Sequence, residues 1–337
     1  MSIPLFQAIA VTSHIISHKL KRRPRYPLVL MLEPLFRCNL SCQGCGKIQY
    51  SHEILKKYLT SEQCFNAAEQ CGAPVVSIAG GEPLLHPHID EIISGLIKRR
   101  KYIYLCTNGI TLKENLFRFQ PSRYLTFSVH LDGLRQDHDR SVNRAGTYDR
   151  ATEAIKEALK QGFTVTTNTT LYQDADPLKV RSFFDEMTAL GVHSMMISPG
   201  FSYDSASQKG NFLTRDKTVQ LFREIFSHPK KTWKFNQSPL YLEFLKGNRS
   251  YDCTPWGNPT YNIFGWQIPC YLLNDRYVSS FGELLDEVKW EKYGHGSGKP
   301  QCYHCMMHSG YEPSAVNDTF SNVDALISTA RLLGGHR

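Results

Sequence analysis

The sequence lacks the features that would place the chain across a membrane or in a secretory pathway. No apolar run reaches the roughly 18 residues that a transmembrane helix needs. The basic run at residues 19–25 follows the N-terminal apolar stretch instead of preceding it, so we expect no signal peptide. The chain also has no internal repeat and no low-complexity tract. These absences favour a globular protein in the cytoplasm.

The chain is also too poor in cysteine for a small disulfide scaffold. Its 10 cysteines in 337 residues fit a reducing, intracellular protein with metal sites better. Acidic residues are fewer than basic ones, and the net charge of +8 suits an anionic membrane surface or nucleic acid. An apolar fraction of 41% is enough for a substantial core.

Residues 1–27 predict an amphipathic helix followed by a basic segment. Phe6, Ile9, Ile16 and Leu20 recur at helical spacing, and the basic run follows them. Such a segment can lie on an anionic bilayer, which would make the protein peripheral on the inner face of the membrane. The alternative is a helix packed on the domain, with a solvated charge run.

Strand-like and helix-like patterns alternate from residue 28 onwards. Strands are predicted at residues 28–33, 75–79, 102–106, 124–130, 163–170 and 193–198, with helices at 61–71, 89–100, 148–161 and 177–190. Strands alternating with helices predict a parallel sheet, and six such units suit a partial barrel with an open side. We therefore predict an α/β fold in which residues 28–210 form a partial (β/α)6 barrel and residues 211–337 form an extension rich in cysteine and aromatic residues.

Glycine-containing turns follow the predicted strands. They are Gly-Gly-Glu-Pro at residues 80–83, Thr-Asn-Gly at 107–109, Leu-Asp-Gly at 131–133 and Pro-Gly at 199–200. In parallel α/β barrels, active sites are built at this carboxyl edge of the strands. Glycine there lets the backbone approach a ligand closely. Each turn alone indicates little, but the series behind one cysteine-rich loop is specific.

That loop carries Cys38, Cys42 and Cys45 directly after the first predicted strand. Three thiolates on one loop can hold three corners of a cubane iron–sulfur cluster. Bacterial ferredoxins use a fourth cysteine, but the next one here, Cys64, lies in a helical pattern. One iron is then open to a non-protein ligand. The alternative is a zinc site completed by His52.

The order of these motifs over residues 28–200 resembles the radical S-adenosylmethionine (SAM) superfamily. The resemblance implies a 4Fe–4S cluster whose open iron binds SAM, with Gly80, Gly81 and Glu82 at the methionyl amino group. It implies further contacts to the ribose and carboxylate from Asn108 and from Ser128 or His130. The superfamily usually has an aromatic residue against the adenine just before the third cysteine, whereas this chain has Gly44.

Longer strings narrow the resemblance. They include LEPLFRCNLSCQGCGKI, CGAPVVSIAGGEPLLH, FNQSPLYLEFL and CTPWGNPTYNIFGWQIPCYLL, and they closely resemble the radical SAM proteins of hopanoid biosynthesis. This implies an enzyme that adds the 5′-deoxyadenosyl radical to the exocyclic alkene of a hopene, forming adenosylhopane. It also implies a triterpenoid substrate, a one-electron donor such as flavodoxin or ferredoxin, and no nucleic acid. A radical SAM enzyme that modifies a peptide or another substrate is the alternative.

Cys106 ends a predicted strand and directly precedes Thr107. The addition reaction leaves a tertiary carbon radical that needs a hydrogen atom, and a thiol is a good donor. We therefore predict that Cys106 is the hydrogen-atom donor. The alternative is a small buried side chain, the commonest role of a free cysteine.

Four cysteines in the extension form a two-plus-two set: Cys253, Cys270, Cys302 and Cys305. The set resembles the opening of the SPASM or twitch extension, which carries an auxiliary iron–sulfur cluster. It can equally hold zinc, with His304 or His308 replacing one ligand. The remaining alternative is that these cysteines bind no metal. The aromatic residues around them could line a pocket for rigid rings or simply form core.

Overall fold

The computed structural model describes residues 4–201 and 211–321. Its centre is a nine-stranded sheet in the order β6-β5-β4-β3-β2-β1-β7-β8-β9. The strands are β1 Val29–Glu33, β2 Val75–Ile78, β3 Tyr102–Thr107, β4 Leu125–His130, β5 Thr164–Leu171, β6 Ser194–Pro199, β7 Thr260–Asn262, β8 Gly265–Cys270 and β9 Leu273–Val278.

Strands β1 to β6 pair in sequence order, and every pair is parallel. All six predicted strands are present. Most of their ends differ from the predicted ends by one residue, and the others agree. The predicted α/β fold with a partial barrel is confirmed. Because the strands are parallel, the loops that follow them meet at one edge.

The extension continues this sheet. Strand β7 pairs with β1 in parallel, and β8 and β9 follow as antiparallel strands. One large core combines side chains from the barrel and the extension, including Trp266, Tyr241 and Phe244. These three aromatic side chains are therefore core residues, as one of the two alternatives for this segment predicts.

Helices pack around the sheet. They are α1 Leu5–Leu20, α2 His52–Lys56, α3 Ser61–Cys71, α4 Ile89–Lys98, α5 Leu112–Asn115, α6 Arg135–Ser141, α7 Thr147–Lys160, α8 Pro177–Leu190, α9 Arg215–Ile225, α10 Pro239–Leu245, α11 Phe281–Asp286 and α12 His308–Thr319. Local sequence sets several ends. Thr60 and Gln63 form a capping box at α3. Asp176 caps α8, and Gly191 ends it in the left-handed conformation.

Alternation along the strands divides the barrel into two faces. Leu105, Phe127 and Val165 pack into the core that includes the helices. The next side chains along two of these strands, Cys106 and Ser128, point to the other face, where Cys106 meets both Ser128 and Ser77 of β2. The concave side of the barrel is therefore lined by small polar side chains at this level.

Helix α1 packs on the barrel through a face that the sequence pattern does not single out. Ile15 is fully buried, and Gln7 exchanges hydrogen bonds with the Tyr104 hydroxyl on β3. The predicted apolar face remains exposed, with side chains from 48% to 79% accessible at Leu5, Phe6, Ile9, Ile16 and Leu20. Among the described residues, no helix has both the length and the apolar character to cross a membrane.

Candidate active site

The glycines after β2 hold the cysteine loop against the sheet. Gly81 N donates to Leu35 O at 2.9 Å, and Glu82 N donates to Arg37 O at 2.9 Å. A Cβ atom on Gly80 or Gly81 would collide with the carbonyl oxygens of this loop. Gly80 also has a φ of 104°, which favours glycine. Only glycine lets the two loops come this close, so Gly80 and Gly81 position the cysteines.

Cys38, Cys42 and Cys45 lie together on that loop as free thiols. Burial is the main cause that raises the pKa of Cys38 to about 11 and the pKa values of Cys42 and Cys45 as well, and neighbouring thiols add to the rise for Cys38 and Cys42. Leu40 and Lys47 donate backbone N–H groups to the sulfurs of Cys38 and Cys45, each at 3.4 Å.

Three crowded thiols of this kind become thiolates readily only beside a strong cationic centre. Leu40, Ile110 and Val142 form an apolar cluster against Cys38 and Cys42, which shields this part of the loop from water. The donor set thus fits a cubane cluster. Within the described ranges, no group of three or more His, Cys, Asp or Glu side chains converges on the position of a single metal ion. That finding bears on both single-zinc alternatives, the one with His52 and the one in the extension, because a cubane is wider than one ion.

Glu82 is 1% exposed and is held by the loop after β3. Its Oε1 atom accepts from Thr107 Oγ1 at 2.8 Å, and its Oε2 atom accepts from Asn108 N at 2.8 Å. Burial raises the pKa of Glu82 to about 7, although these hydrogen bonds oppose the rise. The Asn108 side chain donates to Asn39 Oδ1 at 2.7 Å, on the cysteine loop. The structure thus brings Glu82, Asn108 and the cysteine loop together.

His130 pairs with Asp132, an acidic residue that was not predicted as a site residue. His130 Nε2 lies 3.0 Å from Asp132 Oδ2. Burial alone would lower the pKa of His130, but Asp132 raises it overall. Conversely, burial alone would raise the pKa of Asp132, but His130 and hydrogen bonds lower it. Ser141 Oγ and Thr170 N also donate to Asp132, so this carboxylate ties the end of α6 to strand β5.

Cys106 lies on the concave side of β3, near its carboxyl end. The strand continues to Thr107, one residue further than predicted. Cys106 Sγ is 3.5 Å from Ser77 Oγ on β2, and Ser128 on β4 stands opposite it in the pairing register. Burial is the main cause that raises the pKa of the Cys106 thiol. The side chain therefore keeps its hydrogen at neutral pH.

The four cysteines of the extension also lie near one another. Burial first, and then the thiols of Cys305, Cys270 and Cys302, raise the pKa of Cys253. A Cβ atom on Gly310 would lie 2.6 Å from the Cys253 sulfur, so a glycine is needed to make room for it. The fold therefore brings the two-plus-two set into one region, and its metal content stays a prediction.

His304 and His308, predicted as possible replacements for one cysteine ligand, contact other residues. His308 Nδ1 is 3.0 Å from Ser198 Oγ on β6, and burial lowers the pKa of His308 to about 4. The ring of His304 packs against the ring of Tyr303, with 4.8 Å between their centroids.

Sequence reasoning also missed Lys47 and Tyr172. Lys47 ends the cysteine loop and makes a buried ion pair with Glu33 at 2.8 Å. Tyr172 follows β5 and lies against Gly44 and Gly200. A lysine beside a metal loop was a signal that could have been used, whereas nothing local in the sequence marks Tyr172.

Comparison with known proteins agrees with this geometry. Residues 32–185 match the radical SAM superfamily. The matched range is a little under half of the chain. Residues 195–329 match a second family, described only as a domain of unknown function, DUF3463. A radical SAM domain implies a 4Fe–4S cluster and SAM as the cofactors. The loop with Cys38, Cys42 and Cys45 and the turn with Glu82 both lie inside the matched range.

The curated relatives include several GTP 3′,8-cyclases. That of Petrotoga mobilis is 26% identical over 56% of this chain and 60% of its own length. That of Clostridium perfringens is 28% identical over 41% and 45%, and that of Aquifex aeolicus is 30% identical over 47% and 53%. The chain thus spans about half the length of the curated relatives it matches.

Two solved structures share the fold. The structure of histidine-tagged anSMEcpe with bound AdoMet has a TM-score of 0.58 at 16% identity, covering 92% of this chain and 100% of that chain. Streptococcus suis SuiB has a TM-score of 0.57 at 15% identity, covering 74% and 61%. At these identities the likeness concerns the fold alone.

Proposed function

We propose that this protein is an adenosylhopane-forming radical SAM enzyme, which adds the 5′-deoxyadenosyl radical to the exocyclic alkene of a hopene. Held at the cysteine loop, the cluster and SAM would supply that radical. The resemblance of long sequence strings to hopanoid-biosynthesis proteins supports the substrate class. The observation that carries the proposal is the position of Cys106, a protonated thiol on the concave side of the barrel.

Cys106 completes the reaction in this proposal. Addition to the alkene leaves a tertiary carbon radical on the hopane skeleton. The S–H bond of Cys106 breaks and a C–H bond forms, because a thiol S–H bond is weaker than a tertiary C–H bond. The resulting thiyl group returns to the thiol by taking one electron from a flavodoxin- or ferredoxin-type donor and one proton. With the electron used for SAM cleavage, each product molecule consumes two electrons.

The other residues hold and orient the cofactors. Cys38, Cys42 and Cys45 are the proposed cluster ligands. We assign the loop around Gly80, Gly81 and Glu82 to the methionyl end of SAM. Asn108 lies beside Glu82 and the cysteine loop, and we assign it to the same cofactor. Ser128 and His130 extend this wall along β4 and are assigned to the ribose and carboxylate.

The decisive experiment is an anaerobic incubation of the cluster-loaded protein with SAM, a reductant and a hopene. Mass analysis of the lipid fraction should show the substrate with an added adenosyl group. Parallel reactions contain GTP or a peptide in place of hopene. Release of 5′-deoxyadenosine with a modified peptide, or conversion of GTP, with no adenosylated lipid would refute the proposal.

Replacing Cys106 with Ala tests the hydrogen-transfer step. SAM cleavage and addition should persist, while the yield of saturated adenosylhopane falls and by-products appear. In deuterated buffer, the wild type should place one deuterium at the former alkene carbon, because a thiol exchanges with solvent. Cys64→Ala, at a buried position on α3, is the matched control and should leave product identity unchanged. Full-rate, correctly reduced product from Cys106→Ala would exclude this role.

Contact with a membrane surface fits an insoluble substrate. The exposed apolar side chains of α1 form one stripe along the helix. The first 32 residues carry five Lys or Arg and no Asp or Glu. Apolar surface beside positive charge favours reversible binding to an anionic bilayer. We therefore propose that the protein is peripheral on the inner face of the membrane.

A further inference from the structure

The ring of Tyr172 occupies space that two glycines leave open. An ideal Cβ atom on Gly44 would lie 2.7 Å from Tyr172 Oη and 3.2 Å from its Cε1 atom. An ideal Cβ atom on Gly200 would lie 2.9 Å from Tyr172 Cδ1. Gly44 belongs to the cysteine loop, whereas Gly200 follows β6. A single aromatic ring is thus wedged between two loops, each of which needs glycine at the contact.

The same ring borders a cleft at the carboxyl edge of the barrel. Gln43, Gly44, Asp132 and Phe212 line this cleft with Tyr172. The rings of Tyr172 and Phe212 are 6.0 Å apart. Tyr172 is only half-buried, so part of its ring is accessible. The contact with Gly44 places the ring against the cysteine loop, at the residue that precedes Cys45.

We propose that Tyr172 supplies the aromatic surface on which the adenine of SAM stacks. A neutral purine is planar and apolar on its faces, and stacking on an aromatic side chain tolerates any base. Residue 44, in the cysteine loop, has no side chain to offer such a surface. Tyr172, in the loop after β5, places its ring beside Gly44 instead. The ring is therefore close to the thiols that would hold the cluster to which SAM binds. The inference rests on SAM as cofactor and is independent of the lipid substrate.

Binding of SAM tests this role without turnover. Equilibrium dialysis of the cluster-loaded protein gives Kd for SAM and, separately, for methionine, which has no purine. Tyr172→Ala should weaken SAM binding by about 5- to 150-fold, with methionine binding unchanged. Tyr172→Phe keeps the ring and should stay within about twofold of wild type. Tyr172→Leu keeps apolar bulk without a planar face and should resemble Tyr172→Ala. Phe117→Ala, at a side chain that is 82% exposed, is the control.

A second, sharper test moves the aromatic side chain from position 172 to position 44 in the cysteine loop. Gly44→Tyr alone should bind SAM poorly, because its side chain collides with Tyr172. Combining Gly44→Tyr with Tyr172→Ala should restore SAM affinity above that of either single variant. Iron content and thermal unfolding of each variant identify a folding defect. Tyr172→Ala with wild-type SAM affinity, or an equal loss for methionine and SAM, would overturn the inference. Failure of the wild type itself to bind SAM would instead refute SAM as the cofactor.

Discussion

A buried ion pair joins the cysteine loop to the first strand and to the extension. Lys47 Nζ lies 2.8 Å from Glu33 Oε1 and donates to Tyr271 O at 3.0 Å. Asn262 on β7 donates to Glu33 and also to Gln267, and Gln267 in turn donates to Cys270 O. This chain of hydrogen bonds runs from the loop with Cys45 to the turn after Cys270. We expect it to hold both cysteine sets in their relative positions.

The structure sets the cost of breaking this pair. The Lys47 and Glu33 side chains are 9% and 1% exposed, so solvent screens neither charge well. Lys47→Met removes the ammonium and leaves the carboxylate buried, with Asn262 Nδ2 as a longer partner at 3.4 Å. Removing one member of a buried ion pair costs about 3–5 kcal/mol. Loss of the hydrogen bond from the Lys47 ammonium to Tyr271 O adds about 1.5–3 kcal/mol. The double variant Glu33→Gln/Lys47→Met leaves no buried charge and should recover a large part of the loss.

Urea unfolding followed by circular dichroism measures these changes. Lys113→Met is the matched control, because Lys113 forms an exposed ion pair with Glu153 and should leave the urea midpoint unchanged. Lys47→Met should also incorporate less iron on reconstitution, since the loop loses its anchor. A loss below about 1 kcal/mol for Lys47→Met would refute the reasoning. So would a double variant less stable than the single one.

Four further predictions concern other parts of the molecule. Replacing all three cysteines of the loop with Ala should abolish SAM cleavage under reducing conditions, and persistent cleavage would refute the ligand assignment. Cys302→Ala/Cys305→Ala should lower the iron or zinc content relative to wild type, whereas unchanged metal would leave these thiols unligated. Replacing Leu5, Phe6 and Ile9 with Ser should reduce sedimentation with anionic liposomes and not with neutral ones. Equal sedimentation of the variant and the wild type would exclude the α1 surface as the membrane contact. Burial raises the pKa of Glu312 to about 7. The protonated side chain therefore contributes its full stabilisation below pH ~4.5, and this contribution is lost as pH rises through ~7. Glu312→Gln should flatten the fall in stability between these pH values, measured by thermal unfolding.

The barrel could be predicted from the sequence because the signals for its strands and turns are local and repeated. Each strand shows an apolar run, and each following turn carries glycine or a small polar residue, so errors in one unit do not alter the series. The cysteine loop and Gly-Gly-Glu turn were also visible, since both are short and contiguous. The close contact between Gly81 and the carbonyl of Arg37 now gives a physical reason for the glycine pair.

Long-range contacts could not be predicted in this way. The exposed stripe of α1 reads in sequence like a packing face, because periodicity shows which residues share a side and not what that side meets. Gln7 and Ile15 form the packing face instead, and the Gln7 contact depends on a tyrosine far along the chain, Tyr104. The continuation of the sheet through β7 was likewise invisible, since pairing with β1 joins segments more than two hundred residues apart.

Gly44 shows how such a contact changes the meaning of a residue. In the sequence it stands as a missing aromatic residue beside the third cysteine. In the fold it is the space that admits Tyr172 from another loop. Gly80 and Gly81 have a similar effect, because the absence of a side chain at each position lets the cysteine loop come close. The cysteine loop is therefore fixed by contacts from several strands, together with Lys47 at its end. A loop held on so many sides has little conformational freedom left to lose when cofactors bind, which favours their affinity.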